Sequence, residues 1–145
     1  MTKEQFKRIY EIFRSTCLLY PVEKEELEKL EKQYPSLKEI SIEEGKFRID
    51  LSNDYASGEL ERYQLLKENV ELVENYFRDI REMFGEQADA ISRELFIRGR
   101  SQTEVGEDYG MSRRQVQYAV EKWLLKLFET TEQKKHAAIT IQDDQ

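Results

Sequence analysis

A chain of 145 residues is long enough for one ordinary domain or two small ones, which argues against a single large catalytic core and for a modular binding protein. With 39% hydrophobic and 37% charged residues and no apolar run near the length of a bilayer span, the composition argues against a membrane protein and predicts a soluble, highly charged, helix-rich chain. The net charge of -7 speaks against nucleic acid until it is divided along the chain: Lys and Arg number 14 against 21 Asp and Glu over residues 1–90, 7 against 5 over 91–128, and 2 against 4 over 129–145, so only 91–128 is net positive.

Residues 1–10 are charged throughout and predict no signal peptide. Phe6, Ile9, Tyr10, Phe13 and Cys17 recur at helical spacing and predict an amphipathic helix over 2–18, ended by Tyr20-Pro21. Cys17, the only cysteine, cannot close an internal disulfide; in the apolar stretch 13–20 it is expected as a buried structural thiol, which fits a reducing compartment. Residues 22–33 carry Glu and Lys at four-residue spacings around Leu27 and Leu30, a solvated helix closed by Tyr34-Pro35.

The period changes over 37–51, where Ile40, Ile42, Phe47, Ile49 and Leu51 alternate with polar residues around Glu44-Gly45 and suggest a small β-hairpin. After turn chemistry at 53–58, a long helix is predicted over 59–84, stopping at Gly85. Within it Tyr63, Leu66, Val70, Val73, Phe77, Ile80 and Phe84 recur at alternating intervals of three and four, a heptad seam. The seam serves packing of the N-terminal helices within one chain, homodimerisation, or both. Residues 129–145 lack apolar periodicity and are expected to be unstructured.

The segment 101–121, SQTEVGEDYGMSRRQVQYAVE, holds the functional signal. Ser101 with Glu104, and Ser112 with Gln115, are two capping boxes that mark helix starts eleven residues apart. Gly110 stands where the first helix must end in a left-handed conformation, and Gly106 lets the second helix cross closely. Val105, Tyr109, Met111, Val116 and Val120 supply the apolar contacts between them. On the second helix Arg113, Arg114, Gln117, Tyr118 and Glu121 share one face, opposite Val116, Ala119, Val120, Trp123 and Leu127.

A packed back and a polar front with donors at its N-terminal end are what a recognition helix in the major groove of double-stranded DNA requires. Ser112 and the amides of the helix start are candidates for a phosphate contact. A plain αα-hairpin without a nucleic-acid role would need both capping boxes, the glycine pair and the polar face to coincide by accident.

The stretch 92–128, SRELFIRGRSQTEVGEDYGMSRRQVQYAVEKWLLKLF, resembles region 4 of bacterial sigma factors, the domain that reads the upstream promoter element. The likeness is carried by Glu104-Val105-Gly106, Gly110-Met111, Ser112-Arg113, Val116 and Lys126-Leu127. It covers about a quarter of the chain, and nothing before residue 86 is similar to the sigma regions that melt promoter DNA. The layout, with an early Tyr20-Pro21 break, is similar to phage and prophage late-gene activators of the ArpU/RinA type, which implies a transcription regulator acting with RNA polymerase. Arg113 is retained from the sigma pattern. Arg114, Gln117 and Tyr118 depart from it, which puts recognition of the ordinary upstream hexamer in question.

A catalytic site is not expected: one cysteine and one histidine, His136, assemble neither a metal cluster nor a nucleophile with its base, and no phosphate-binding glycine loop is present. No cofactor is expected either. Two other classes stay open, a DNA-packaging protein like a phage small terminase subunit and a sigma-like module that binds polymerase without gripping DNA. The expected fold class is mainly α: an N-terminal helical and hairpin region over 1–58, a connecting helix over 59–85, a helix-turn-helix domain over 86–128 and a tail over 129–145.

Overall fold

The computed structural model of the chain describes residues 1–39 and 57–143. These residues are mainly α: α1 (Lys3–Gln33), a 3₁₀ turn (Pro35–Glu39), α2 (Ser57–Phe84), α3 (Glu86–Phe96), α4 (Gln102–Tyr109) and α5 (Arg113–Asp143). None of the described helices is long and apolar enough to cross a membrane. Of the span 37–51 in which a hairpin is expected, residues 37–39 close the 3₁₀ turn and residues 40–51 lie outside those described.

α1 begins with a full capping box. The Thr2 N–H donates to Gln5 Oε1 at 2.9 Å and the Gln5 N–H donates to Thr2 Oγ1 at 3.1 Å. The helix does not end at Tyr20-Pro21 as predicted; Pro21 lies inside it. An internal proline costs about 3 kcal/mol through the lost N–H and the clash with the preceding turn. Phe13 and Cys17 before it and Leu27 and Leu30 after it are all buried, and at about 1.5–3 kcal/mol for each large apolar side chain their burial exceeds that cost.

The chain divides into two units, Met1–Leu18 with Asn75–Gln145, and Leu19–Glu74. The second has its own core of Leu27, Leu30, Leu37, Leu60, Tyr63, Leu66 and Val70, with Tyr20 and Tyr34 packed against it. The buried Tyr63 hydroxyl donates to Glu31 Oε1 at 3.1 Å, and Tyr34 donates to Glu59 Oε1 at 2.6 Å. Arg62 with Glu26 and Lys24 with Glu74 are solvent-exposed ion pairs that add little.

The first unit is built on aromatic rings. Phe13 stands at its centre, with ring centroids 5.1 Å from Phe96, 5.6 Å from Phe128 and 6.3 Å from Phe77. Phe6 meets Phe128 at 5.6 Å and Tyr10 meets the edge of Phe96 at 5.9 Å. The segment 86–128 is therefore not a separate unit: the first half of α1 and the end of α2 belong with it. The apolar stripe of α1 read in the sequence has its partners on α2, α3 and α5. Cys17 is fully buried, and burial pushes its thiol up to about 12, which leaves it inert.

The heptad seam is used within the chain. Tyr63, Leu66, Val70, Val73, Phe77 and Ile80 are all buried and Phe84 is half-buried against Trp123, so these positions offer no open stripe to a second copy. The tail expected to be unstructured is helical to Asp143. It contains no Gly or Pro, and its Glu, Gln, Lys and Ala residues favour helix, so α5 propagates although the apolar period has lapsed.

Candidate nucleic-acid interface

α3, α4 and α5 pack around Ile91, Phe96, Val105, Val116, Val120 and Leu124, all buried. Arg100 fastens α4 to the end of α3: its Nη1 lies 3.1 Å from Glu94 Oε2 and 2.6 Å from Asp108 Oδ2, while Arg98 pairs with Glu94 at 2.7 Å. The acidic surface of α4 is thereby partly neutralised within the fold. This clamp is invisible to helical periodicity, because its partners lie six and eight residues apart across a loop.

Ser101 caps α4, accepting from the Glu104 N–H at 3.1 Å and donating to Glu104 Oε1 at 3.0 Å. The expected reciprocal bond to the Ser101 amide is replaced by this hydroxyl contact. Gly110 ends the helix at φ 66° and ψ 32°, its N–H bonded to the Gly106 carbonyl, which also accepts the Met111 N–H at 2.8 Å. Gly106 lies under this turn, where a methyl group would overlap the Met111 carbonyl oxygen and meet Val116 Cγ2 at 3.3 Å. The close approach read from the sequence is thus made to the turn as well as to α5.

At the start of α5 the capping box is complete: Ser112 N–H donates to Gln115 Oε1 at 2.8 Å and Gln115 N–H to Ser112 Oγ at 3.1 Å. Ser112 therefore acts first as a cap, leaving the Arg113 and Arg114 amides at the helix start. Ser112→Ala should cost about 1 kcal/mol by urea unfolding, with Ser112→Asp restoring most of it. An unchanged midpoint for the alanine variant would remove the cap's assigned role.

All the predicted reading residues of α5 are exposed, over a back of Val116, Val120, Leu124 and Leu127 at 2% exposure or less. They divide into two rows. Arg113, Gln117 and Glu121 line a hollow of about 410 Å³ with Gln102 of α4 and Phe6, Lys7 and Tyr10 of α1. Arg114 and Tyr118 stand outside it, Tyr118 at 65% exposure. Gln117 Nε2 donates to Glu121 Oε1 at 3.3 Å, one helical turn further along the same exposed row.

Among the described residues neither Arg113 nor Arg114 forms an ion pair, whereas Arg93, Arg98 and Arg100 all do. The contribution of α1 to this surface is not legible in the sequence, where the charge of its first residues speaks only against a signal peptide and its periodicity only for an apolar face. The chain matches no protein-family model, no curated protein and no solved structure, so the site rests on its own geometry.

Proposed function

We propose that the chain is a sequence-specific DNA-binding transcription regulator in which α4 and α5 form a helix-turn-helix and α5 is the recognition helix. The observation that carries this reading is the pair Arg113 and Arg114, exposed and without an ion pair among the described residues, on the polar front of a helix whose back is buried. Long guanidinium side chains left uncommitted at a capped helix start suit guanine edges and phosphates, and Gln117 suits adenine. The similarity of residues 92–128 to sigma region 4 supports the same placement. It extends the proposal to a phage or prophage late-gene activator that works with RNA polymerase.

The test is selection of a binding site from randomised duplex DNA, followed by affinity measurements on variants. Arg113→Ala/Arg114→Ala should lose about 1–3 kcal/mol for each bidentate guanine contact and relax discrimination at the corresponding base pairs. An arginine that touches phosphate would instead weaken all sequences alike and lower the salt slope by about one. The reading fails if the double variant, folded by circular dichroism, binds the selected site as tightly as the wild type.

A further inference from the structure

The first half of α1 carries Lys3, Lys7, Tyr10 and Arg14 at intervals of four, three and four, one row on the helix surface. Three hollows set this row beside α5. Arg14 and Tyr10 share one with Arg113; Lys7 and Tyr10 share the next with Arg113, Gln117 and Glu121; Lys3 shares the last with Glu121 and Leu125. The pairing runs in opposite directions along the two helices, so α1 lies antiparallel beside the polar front of α5. At 1.5 Å per residue the three cations extend over about 16 Å.

The charge of the chain is sorted in the same sense. Residues 1–18 carry four Lys and Arg against two Glu, whereas residues 19–90 carry 10 against 19. Lys3, Lys7 and Arg14 are exposed and none forms an ion pair among the described residues, although the described arginines of α2 and α3 are paired. A row of unpaired cations in an acidic chain, kept along one side of the candidate reading helix, is suited to an anionic surface that meets both helices together.

We infer that Lys3, Lys7 and Arg14 of α1 grip the sugar-phosphate backbone of the duplex whose major groove α5 enters. This rests on the reading of α5 as the recognition helix. The major groove is about 12 Å wide and a helix with its side chains about 10–12 Å across, so one helix fills it. A second helix alongside lies over the groove wall, which is a line of phosphates with one charge per about 3.4 Å of each strand. The row adds register and affinity without reading sequence, and it offsets the modest positive charge of residues 91–128.

The experiment compares the full-length wild type with Lys7→Ala/Arg14→Ala and Lys7→Arg/Arg14→Lys on the selected duplex and on unrelated duplex, from 50 to 200 mM salt. Two lost phosphate contacts should flatten the log–log salt slope by about 1.8, so that the ratio of wild-type to alanine-variant affinity shrinks about twelve-fold across that range. Both duplexes should be affected alike, base preference should be unchanged, and the charge-conserving variant should bind as the wild type does. An alanine variant with the wild-type slope overturns the inference while leaving the recognition helix in place. Tighter binding by that variant also overturns it, because α1 would then obstruct the duplex. A wild type that binds neither duplex removes the inference and the proposed function together.

Discussion

Phe13→Ala should destabilise the first unit by about 3–5 kcal/mol, the range for removing a buried phenylalanine, and should abolish the proposed DNA binding although Phe13 lies away from the proposed reading face. Phe13 is 2% exposed and its ring touches those of Phe77, Phe96 and Phe128, so the cavity would open where α1, α2, α3 and α5 meet. Trp123, half-buried beside Phe84 at 6.3 Å between ring centroids, reports the transition by fluorescence. For the same reason a fragment starting at Gly85, which the capping pattern alone would select as a domain, should not unfold cooperatively. It leaves Phe96 and Phe128 without Phe6, Tyr10 and Phe13, and Trp123 without Phe84. A Phe13→Ala protein with a wild-type urea midpoint, or a cooperatively folded fragment, would show that α1 is dispensable to this core.

Gly106→Ala should destabilise the first unit, because among the described glycines it is the one where an added Cβ meets backbone. An exposed helical glycine replaced by alanine gains about 1 kcal/mol. Here the gain is reversed, because the new carbon overlaps the Met111 carbonyl, a backbone atom held by the left-handed turn at Gly110, and Val116 Cγ2 leaves no slack at 3.3 Å. The expected net loss is about 1–3 kcal/mol, the ordinary cost of overpacking, and more for Gly106→Val. In a unit of this size each kcal/mol lowers Tm by about 4–8 °C. DNA affinity should fall further than stability alone predicts, since the clash re-aims α5. A Gly106→Ala variant as stable as the wild type would mean that the turn does not approach α4 as described.

The parts of this protein that were legible in its sequence are those governed by local chemistry. Helix starts at Ser101 and Ser112, the end of α4 at Gly110 and the end of α2 at Gly85 follow from capping geometry and backbone freedom within a few residues, and the amphipathic division of α5 follows from its period. The seam on α2 announced burial but not its partner, because a heptad pattern is the same whether the covering helix comes from the same chain or another. The path of the chain through Pro21 and the conformation of the tail differ from the sequence expectation for a related reason. A local rule prices the missing N–H and the absent apolar stripe, while packing on both sides of Pro21 and uninterrupted helix propensity after Phe128 decide the outcome.

The sequence by itself determined a mainly helical chain, the two capped helices joined at Gly110, and a polar front on the second of them. Tertiary structure alone decided that the first half of α1 completes the core beneath that front and sets Lys3, Lys7 and Arg14 beside it. The reason is sequence distance: about a hundred residues separate Phe13 from Phe128 and Lys7 from Arg113, and no periodicity spans that gap. Only the burial of rings from both ends of the chain against one another brings the two cationic faces together.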